Sequence, residues 1–479
     1  MGAKALLLSI YFSEYAFICR VDERLTYNWD KNMLEWLNDN VISALAPIML
    51  LATGVFFCFI LRFFFIRHPI KMIRSMIKRE HKGGISPFRA VTLALAGTLG
   101  VGNIAGVASS IAIGGYGSVL WMWVSALVAM VLKYAEIVLA ILHRRVDRKS
   151  GEYHGGASYY IEDHFASRGK KARGRALGGI FAILCVVNSI SMGCMIQSNA
   201  VSTSFEGVFD VKAWIVGAII ALLCITVITG NAEWVSGFCE KTVPIMTVVY
   251  ILLSVAVIAA RWEAIPSVFA AIFDNAFDLP SAAGGVAGFI ISRQLKAGTM
   301  RGLMSNEAGC GTAPTAHAAA NTSSAAKQGF WGIFEVFVDT VLLCTLTAIV
   351  IILAGGDALR YADNPMMMAI KSYSLVLGSW SEYFMCIAVV LFAFATIVCW
   401  AHYGKESLHY ISKKKWLSAI YIVLFTVFVF VGAVAAPAYS WLFADISIGL
   451  MTIINLPVLV AMRKEIKRET EGFFARKND

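Results

Sequence analysis

Charge is what this sequence has least of. Only 15% of its 479 residues are Asp, Glu, Lys or Arg, against 58% hydrophobic, and the mean hydropathy is +0.69. A water-soluble fold would have to hide more apolar surface than a globular core holds. Also missing are the polar linkers that divide a soluble chain of this length into two or three domains. Short polar stretches merely punctuate apolar runs of about 20 residues, the length that spans a bilayer. The ten cysteines lie mostly inside those runs, with no CxxC pair and no companion histidines at metal spacing, so they read as small core hydrophobes rather than metal ligands. No G-x-S-x-G, H-E-x-x-H or P-loop is present, which leaves an enzyme without visible catalytic residues and the chain without a cofactor motif. Residues 1–40 read as an N-terminal extension: Met1 to Cys19 are apolar but carry Lys4 and Glu14 and have no convincing cleavage site.

What is there is an all-α integral membrane protein. Hydropathy gives about eleven spans, near 41–66, 88–114, 118–142, 177–205, 211–229, 241–260, 282–316, 328–354, 382–403, 415–436 and 440–462. The net charge of +10 would suggest nucleic acid in a soluble protein, but here it sets orientation, and no nucleic-acid partner is expected. Arg67, Lys71, Arg74, Lys78, Arg79 and Lys82 follow the first span, and Arg144, Arg145, Arg148, Lys149 and the 168–175 cluster follow the third. Lys413 to Lys415 follow the ninth and Arg463 to Lys477 the last, all on one side of the bilayer, whereas the 261–280 loop carries Glu263, Asp274 and Asp278. The positive-inside rule then puts the N-terminus outside and the C-terminal tail, 463–479, in the cytoplasm of a cell (inner) membrane protein.

Two spans are interrupted. In the second, Gly97, Gly100, Gly102 and Gly106 surround Asn103. Each glycine costs about 1 kcal/mol of helix stability relative to alanine, so an unwound stretch is expected unless the Gly102/Gly106 pair serves only close packing. The seventh carries Arg293, Lys296, Arg301 and Glu307 among Gly298, Gly302, Gly309, Gly311 and Pro314. An unbroken lipid-facing helix there would be very unfavourable, so a broken, protein-enclosed segment is expected unless 282–295 is one short span and the rest a cytoplasmic loop with an amphipathic helix. With 41–66 set aside as an accessory helix, 88–260 and 282–462 become two five-span halves, each opening on its broken segment. Paired breaks at corresponding positions are the sequence pointer to a midplane substrate site in an inverted-repeat secondary transporter.

At these residues the sequence resembles the alanine or glycine:cation symporter family. The resemblance rests on G-V-G-N-I-A-G-V-A (100–108), W-M-W-V-S-A-L (121–127), K-Y-A-E (133–136) and R-G-L-M-S-N-E-A-G (301–309), followed in order by G-G-A-S-Y-Y-I (155–161), V-F-V-D-T (336–340) and L-F-A-F-A-T-I-V-C-W (391–400). It implies a five-plus-five fold with two broken helices and uptake of a small neutral amino acid, alanine or glycine, with Na+ or H+ as coupling ion. It further implies a substrate site of Gly102, Asn103, Gly106, Gln197, Thr396 and Trp400. The likeness of G-V-G-N to the sodium-binding helix of neurotransmitter:sodium symporters implies a cation held by the carbonyls of Ala96 and Leu99 with Thr396. Ala395 stands where the family usually has serine, removing one hard oxygen and favouring a weaker sodium site or proton coupling. Tyr116 and Ala157, where relatives often have proline, change loop geometry without obvious chemical meaning.

Asp339 and Glu335, four apart in the eighth span, need a cation at that depth, and Arg301 or Lys296 is the expected partner of Asp339, as a structural pair or gate, with direct proton coupling as the alternative. Glu307 reads as the complement of a half-helix N-terminus, Lys133 with Glu136 as a snorkelling pair, and His317 and His402 as interfacial. The N-T-S at 321–323 is a glycosylation pattern on the wrong, cytoplasmic side. Competing readings are the same fold carrying glutamine or serine, an ion channel suggested by I-G-G-Y-G (113–117), and a membrane protein that binds an amino acid without moving it.

Overall fold

The computed structural model describes residues 33–77, 85–147, 151–230, 232–277 and 293–476. The N-terminal extension up to residue 32, the opening of the seventh apolar segment (282–292) and the basic residues Lys78, Arg79, Lys82, Arg148, Lys149 and Lys477 lie outside them.

Nearly every described element is helical, as lipid demands of a backbone that must satisfy its own polar groups. In chain order these are α1 (Met33–Ile60), α2 (Pro69–Ile77), α3 (Pro87–Thr98), α4 (Ala105–Gly114), α5 (Ser118–Leu142), α6 (Ala157–Ala166), α7 (Lys171–Phe209), α8 (Ala213–Ile228) and α9 (Ala232–Ala260). There follow α10 (Ile265–Ala276), α11 (Arg293–Asn306), α12 (Pro314–Ala318), α13 (Ala325–Ala354), α14 (Pro365–Leu377), α15 (Trp380–Ile411), α16 (Lys415–Val434), α17 (Pro437–Ala461) and α18 (Arg463–Ala475). The one sheet among the described residues is a two-residue antiparallel pair, β1 (Arg145–Val146) with β2 (Tyr153–His154). Among the described residues eight helices are long and apolar enough to cross a membrane, α3 and α4 form a further pair bent by 56°, and α8 is a shorter apolar helix.

Local chemistry sets the helix starts. Ser86 precedes Pro87 and its hydroxyl accepts from Arg89 N at 3.2 Å; Asn364 precedes Pro365 and accepts from Met367 N at 3.2 Å. In both, a side-chain oxygen satisfies an orphan amide and proline sits where no amide is needed. The first apolar run stops at Ile60 rather than 66, because Arg62 and Phe63 adopt left-handed backbone (φ 56 and 52) and turn the chain. The centre belongs to α5, whose apolar window is 83% buried, and the rim to helices such as α16, at 28%. Residues of the expected C-terminal tail form α18, with Ile466 and Phe473 buried.

Three helices contain π-helical segments, Asn38–Ile42 in α1, Ser191–Met195 in α7 and Phe337–Cys344 in α13. Single-turn widenings of this kind re-aim side chains and recur at functional sites. The two broken segments pack directly on each other and on α5 through small residues. A Cβ on Gly114 would lie 2.9 Å from Ala297 Cβ, and one on Gly298 would lie 2.2 Å from Ser118 O.

Candidate functional site at two broken helices

The first break follows from the glycines. α3 ends at Thr98, Leu99 leaves helical geometry, Gly100 is extended (φ −113, ψ −162), and a single 3-10 turn, Val101–Asn103, leads into α4. Unwinding frees the carbonyls of the last turn of α3. Thr396 on α15 answers them, its hydroxyl lying 2.9 Å from Ala96 O and 3.5 Å from Leu99 O. Gln197, just past the π-helical turn of α7, accepts from Val101 N at 3.0 Å and donates to Met192 O at 3.1 Å. A Cβ at Gly100 would meet Thr396 Oγ1 at 2.7 Å and Gln197 Oε1 at 3.0 Å, so only glycine lets both side chains reach the break.

Asn103 faces the other way. Its amide donates to Asp339 Oδ1 at 2.7 Å, to Asp339 O at 3.0 Å and to Ser305 Oγ at 3.1 Å, while its backbone carbonyl accepts from Thr347 Oγ1 at 2.7 Å. Its side-chain Oδ1 is buried and has no hydrogen-bond partner among the described residues. Gly102 has ordinary contact with Ser305 Cα, 3.7 Å from a built Cβ, and a Cβ on Gly106 would meet nothing within 4 Å. Gly106 thus borders open space in the first turn of α4, where helix geometry leaves amides without carbonyls.

The second break begins where α11 ends at Asn306. Glu307 (φ 54), Gly309 (φ 86) and Gly311 (φ 83) are left-handed, and α12 resumes at Pro314. Glu307 therefore follows a helix C-terminus instead of complementing an N-terminus, and one of its oxygens accepts from Thr312 Oγ1 at 2.5 Å.

The charge pairings differ from those expected. Arg301 bonds Asp445 on α17 at 3.2 Å and lies over the Trp441 ring, 4.7 Å from its centroid. Asp339 is not its partner because Asn103, Ser305 (2.8 Å) and Thr340 (2.6 Å) already occupy that carboxylate. Lys296 makes no ion pair among the described residues. Lys133 does not snorkel: its side chain is fully buried, pairs with Glu335 at 3.0 Å and donates to Asn306 O at 2.6 Å, closing the C-terminal end of α11. His317 is likewise buried, held between Glu335 (3.0 Å) and Gln328 (2.8 Å), and His402 is 7% exposed. Glu136 accepts from Asn455 at 2.6 Å, and Asn455 also donates to Gly309 O at 2.9 Å. These buried charges bind the second break to α5, α13 and α17, because a charge left unpaired in that environment would cost several kcal/mol.

The profile of the Sodium:alanine symporter family matches residues 27–479. The chain belongs to that family. Among its relatives is the sodium/alanine symporter AgcS of Methanococcus maripaludis, 34% identical over 452 residues, 92% of this chain and 97% of that one. The amino-acid carrier protein AlsT of Bacillus subtilis is 34% identical over 420 residues, 86% of each chain. A second Bacillus subtilis protein, named "Probable sodium/glutamine symporter GlnT", is 33% identical over 433 residues, 90% of this chain and 87% of its own. Among solved structures, a mutant of the Eremococcus coleocola manganese transporter superposes with a TM-score of 0.50 at 13% identity, covering 81% of this chain and 80% of that one, a likeness of fold alone. This member of the sodium:alanine symporter family is a multi-pass membrane transporter and not an enzyme.

In this symporter Trp400 sits one turn from Thr396, fully buried, with its Cβ against Gly193, where a built Cβ would lie at 2.4 Å. Its indole Nε1 has no hydrogen-bond partner among the described residues. Since Gly193 precedes Gln197 by one turn and Trp400 follows Thr396 by one, α7 and α15 run antiparallel past the break. Sequence reasoning missed Ser305, Thr340 and Thr347, which hold Asn103 and Asp339. Ser305 and Thr340 lie inside R-G-L-M-S-N-E-A-G (301–309) and V-F-V-D-T (336–340), but nothing in their spacing signals that they converge.

Proposed function

We infer that this chain is a secondary active transporter that couples uptake of a small neutral amino acid, alanine or glycine, to a sodium or proton gradient by alternating access. The observation that carries the reading is the first break, where two freed carbonyls and the Thr396 hydroxyl converge and, further along the same segment, a Cβ on Gly106 would meet open space. In this reading the substrate carboxylate lies against the amides at the start of α4. The unpartnered Asn103 Oδ1 accepts from its ammonium, and Trp400 bounds the side-chain end. Gln197 holds the unwound Val101 amide and so fixes the shape of the pocket.

Sodium is cargo in this scheme. Ala96 O, Leu99 O and Thr396 Oγ1 make an all-oxygen set suited to a hard cation, but they are three, and Ala395 adds none. That favours weak sodium affinity or a proton in its place. The chain is read as eleven spans with an accessory α1 and two five-helix halves of inverted topology, the N-terminus outside and the C-terminus cytoplasmic. The name of the GlnT relative supports a second reading in which the same pocket takes glutamine.

The test is uptake of labelled alanine into proteoliposomes holding the purified protein, under an imposed sodium gradient, an imposed proton gradient, or neither. Accumulation driven by one cation identifies a symporter and its coupling ion. Uptake of glutamine with none of alanine would move the assignment to the second reading, and absence of accumulation for every substrate would overturn transport by this route.

A further inference from the structure

α1 stops at Ile60 and α17 at Ala461, and a half-open cavity of about 350 Å3 lies between the turn after α1 and α18, the helix that follows α17. Arg62, Arg67 and His68 line it on one side; Lys467, Glu471 and Phe474 of α18 line it on the other. Because Arg62 and Arg67 follow the end of α1 by two and seven residues, and α18 starts directly after α17, the cavity belongs at the level of the lipid headgroups, outside the roughly 30 Å hydrocarbon layer. Three cationic side chains face one carboxylate there. Arg62 and Arg67 have no ion-pair partner among the described residues, and Lys467 reaches Glu471 only at 3.7 Å, with both side chains about half exposed (42% and 56%). Positive charge in the cavity is left largely uncompensated by protein.

An aliphatic stripe runs away from the cavity. Ile70, Ile73 and Ile77 of α2 are 65%, 55% and 72% exposed, spaced three and four residues apart, the spacing of one helix face, and Ile66, 65% exposed, precedes them across the break at His68. Met72 and Ser75, on the opposite face of α2, are buried. An amphipathic helix with basic residues (Arg67, Lys71, Arg74) flanking such a stripe lies in the membrane interface with its apolar side on acyl chains. The cavity walls are tied together: Lys71 Nζ donates to Arg476 O at 2.9 Å and to Phe474 O at 3.4 Å, and the His68 ring packs on Phe474 with centroids 4.8 Å apart.

We propose that this cavity binds the phosphodiester headgroup of an anionic glycerophospholipid. Arg62, Arg67 and Lys467 contact the phosphate, and the acyl chains lie along the Ile66–Ile77 stripe. Glu471 suits a headgroup that also carries hydroxyl donors, as phosphatidylglycerol does. The bound lipid bridges α1 and α2 to the C-terminal helix α18, at a distance from the broken helices, and the site stands whether or not the transport reading does.

The experiment is native mass spectrometry of the full-length protein released from detergent, titrated with phosphatidylglycerol, phosphatidylcholine or inorganic phosphate, alongside thermal melts with each. Wild type should take up phosphatidylglycerol saturably, in preference to phosphatidylcholine, and melt higher with it. The triple variant Arg62→Gln, Arg67→Gln, Lys467→Gln should lose that preference by at least about tenfold, from the energy of cations facing anionic headgroups. Ile70→Ser with Ile73→Ser should weaken phosphatidylglycerol binding without touching the cations. A control, Lys170→Gln, Lys171→Gln, Arg173→Gln, removes equal charge from an exposed surface elsewhere and should retain the preference. An undiminished preference in the first triple variant, an equal loss in the control, or displacement of phosphatidylglycerol by equimolar inorganic phosphate would each overturn the lipid site.

Discussion

Gly106→Ala separates a substrate pocket from mere helix packing. A methyl group at Gly106 meets no atom within 4 Å, and alanine in a helix is favoured over glycine by about 1 kcal/mol. The variant should therefore melt at or above the wild-type temperature. If the open space receives the substrate, the same methyl removes volume from it, and one methylene in a fitted pocket is worth about 1–3 kcal/mol, or about 10- to 200-fold. The half-saturation concentration for alanine should rise at least about tenfold. Glycine, smaller by one methyl, should be affected less, so that the ratio of alanine to glycine uptake falls. The assay is competition between the two labelled substrates in proteoliposomes, with a detergent-phase melt on the same preparation. Wild-type affinity for alanine and an unchanged substrate ratio would refute the assignment of Gly106 to the pocket. Gly100→Ala provides the contrast: its Cβ would lie 2.7 Å from Thr396 Oγ1 and 3.0 Å from Gln197 Oε1, and it should impair uptake of both substrates alike.

Asn103→Ala removes the donor that Asp339 Oδ1 holds at 2.7 Å and should lower stability by about 1–3 kcal/mol while abolishing uptake by protein still present in the membrane; full transport would take the first break out of the site. Lys133→Met leaves the buried Glu335 without its cation (3.0 Å) and should cost about 3–5 kcal/mol, much of it regained in the double variant with Glu335→Gln; equal melting temperatures for the single and double variants would contradict this. Gly298→Ala would drive a Cβ to 2.2 Å from the Ser118 carbonyl, which only displacement of α11 from α5 relieves, so a loss of about 1–3 kcal/mol or more is expected in the melt. The fourth concerns pH. Both ring nitrogens of His143 donate to carboxylates, to Asp163 at 2.9 Å and to Glu465 at 3.0 Å, which requires the imidazolium. Burial works against that charge, but the two carboxylates outweigh it and raise the His143 pKa. Burial also opposes the Asp163 carboxylate, yet hydrogen bonds from His143 and Arg145 bring it down to about 2. The Asp163 contribution is complete above its unfolded value of about 4 and is lost as pH falls towards 2, whereas the His143 contribution is complete below about 6.5 and is lost as pH rises through its raised folded value. The stability difference between wild type and Asp163→Asn should thus be largest between about pH 4 and 6.5, and a pH-independent difference would refute the linkage.

The broken segments were legible because their causes are local. Four glycines around Asn103 weaken any helix, and an apolar run holding Arg293, Lys296, Arg301 and Glu307 cannot face lipid as one rod. The pairing of Thr396 with the carbonyls of Ala96 and Leu99 was available only through family resemblance, since 300 residues separate Thr396 from Ala96. Pairings between charges were the least legible. Glu335 is four residues from Asp339, and either could have taken a cation from the seventh segment. In the fold Lys133 reached Glu335 from α5, and neutral donors took Asp339.

Composition and hydropathy by themselves determined a helical membrane protein, its approximate segments and the two places where helix would fail, because lipid length and glycine entropy act on short stretches of chain. Tertiary structure alone decided which side chains meet at those failures, since that depends on how helices far apart in sequence are rotated against one another. The π-helical turns before Gln197 and around Asp339 show the reason. One extra residue per turn swings a side chain to a different neighbour, and nothing in the local sequence period announces it.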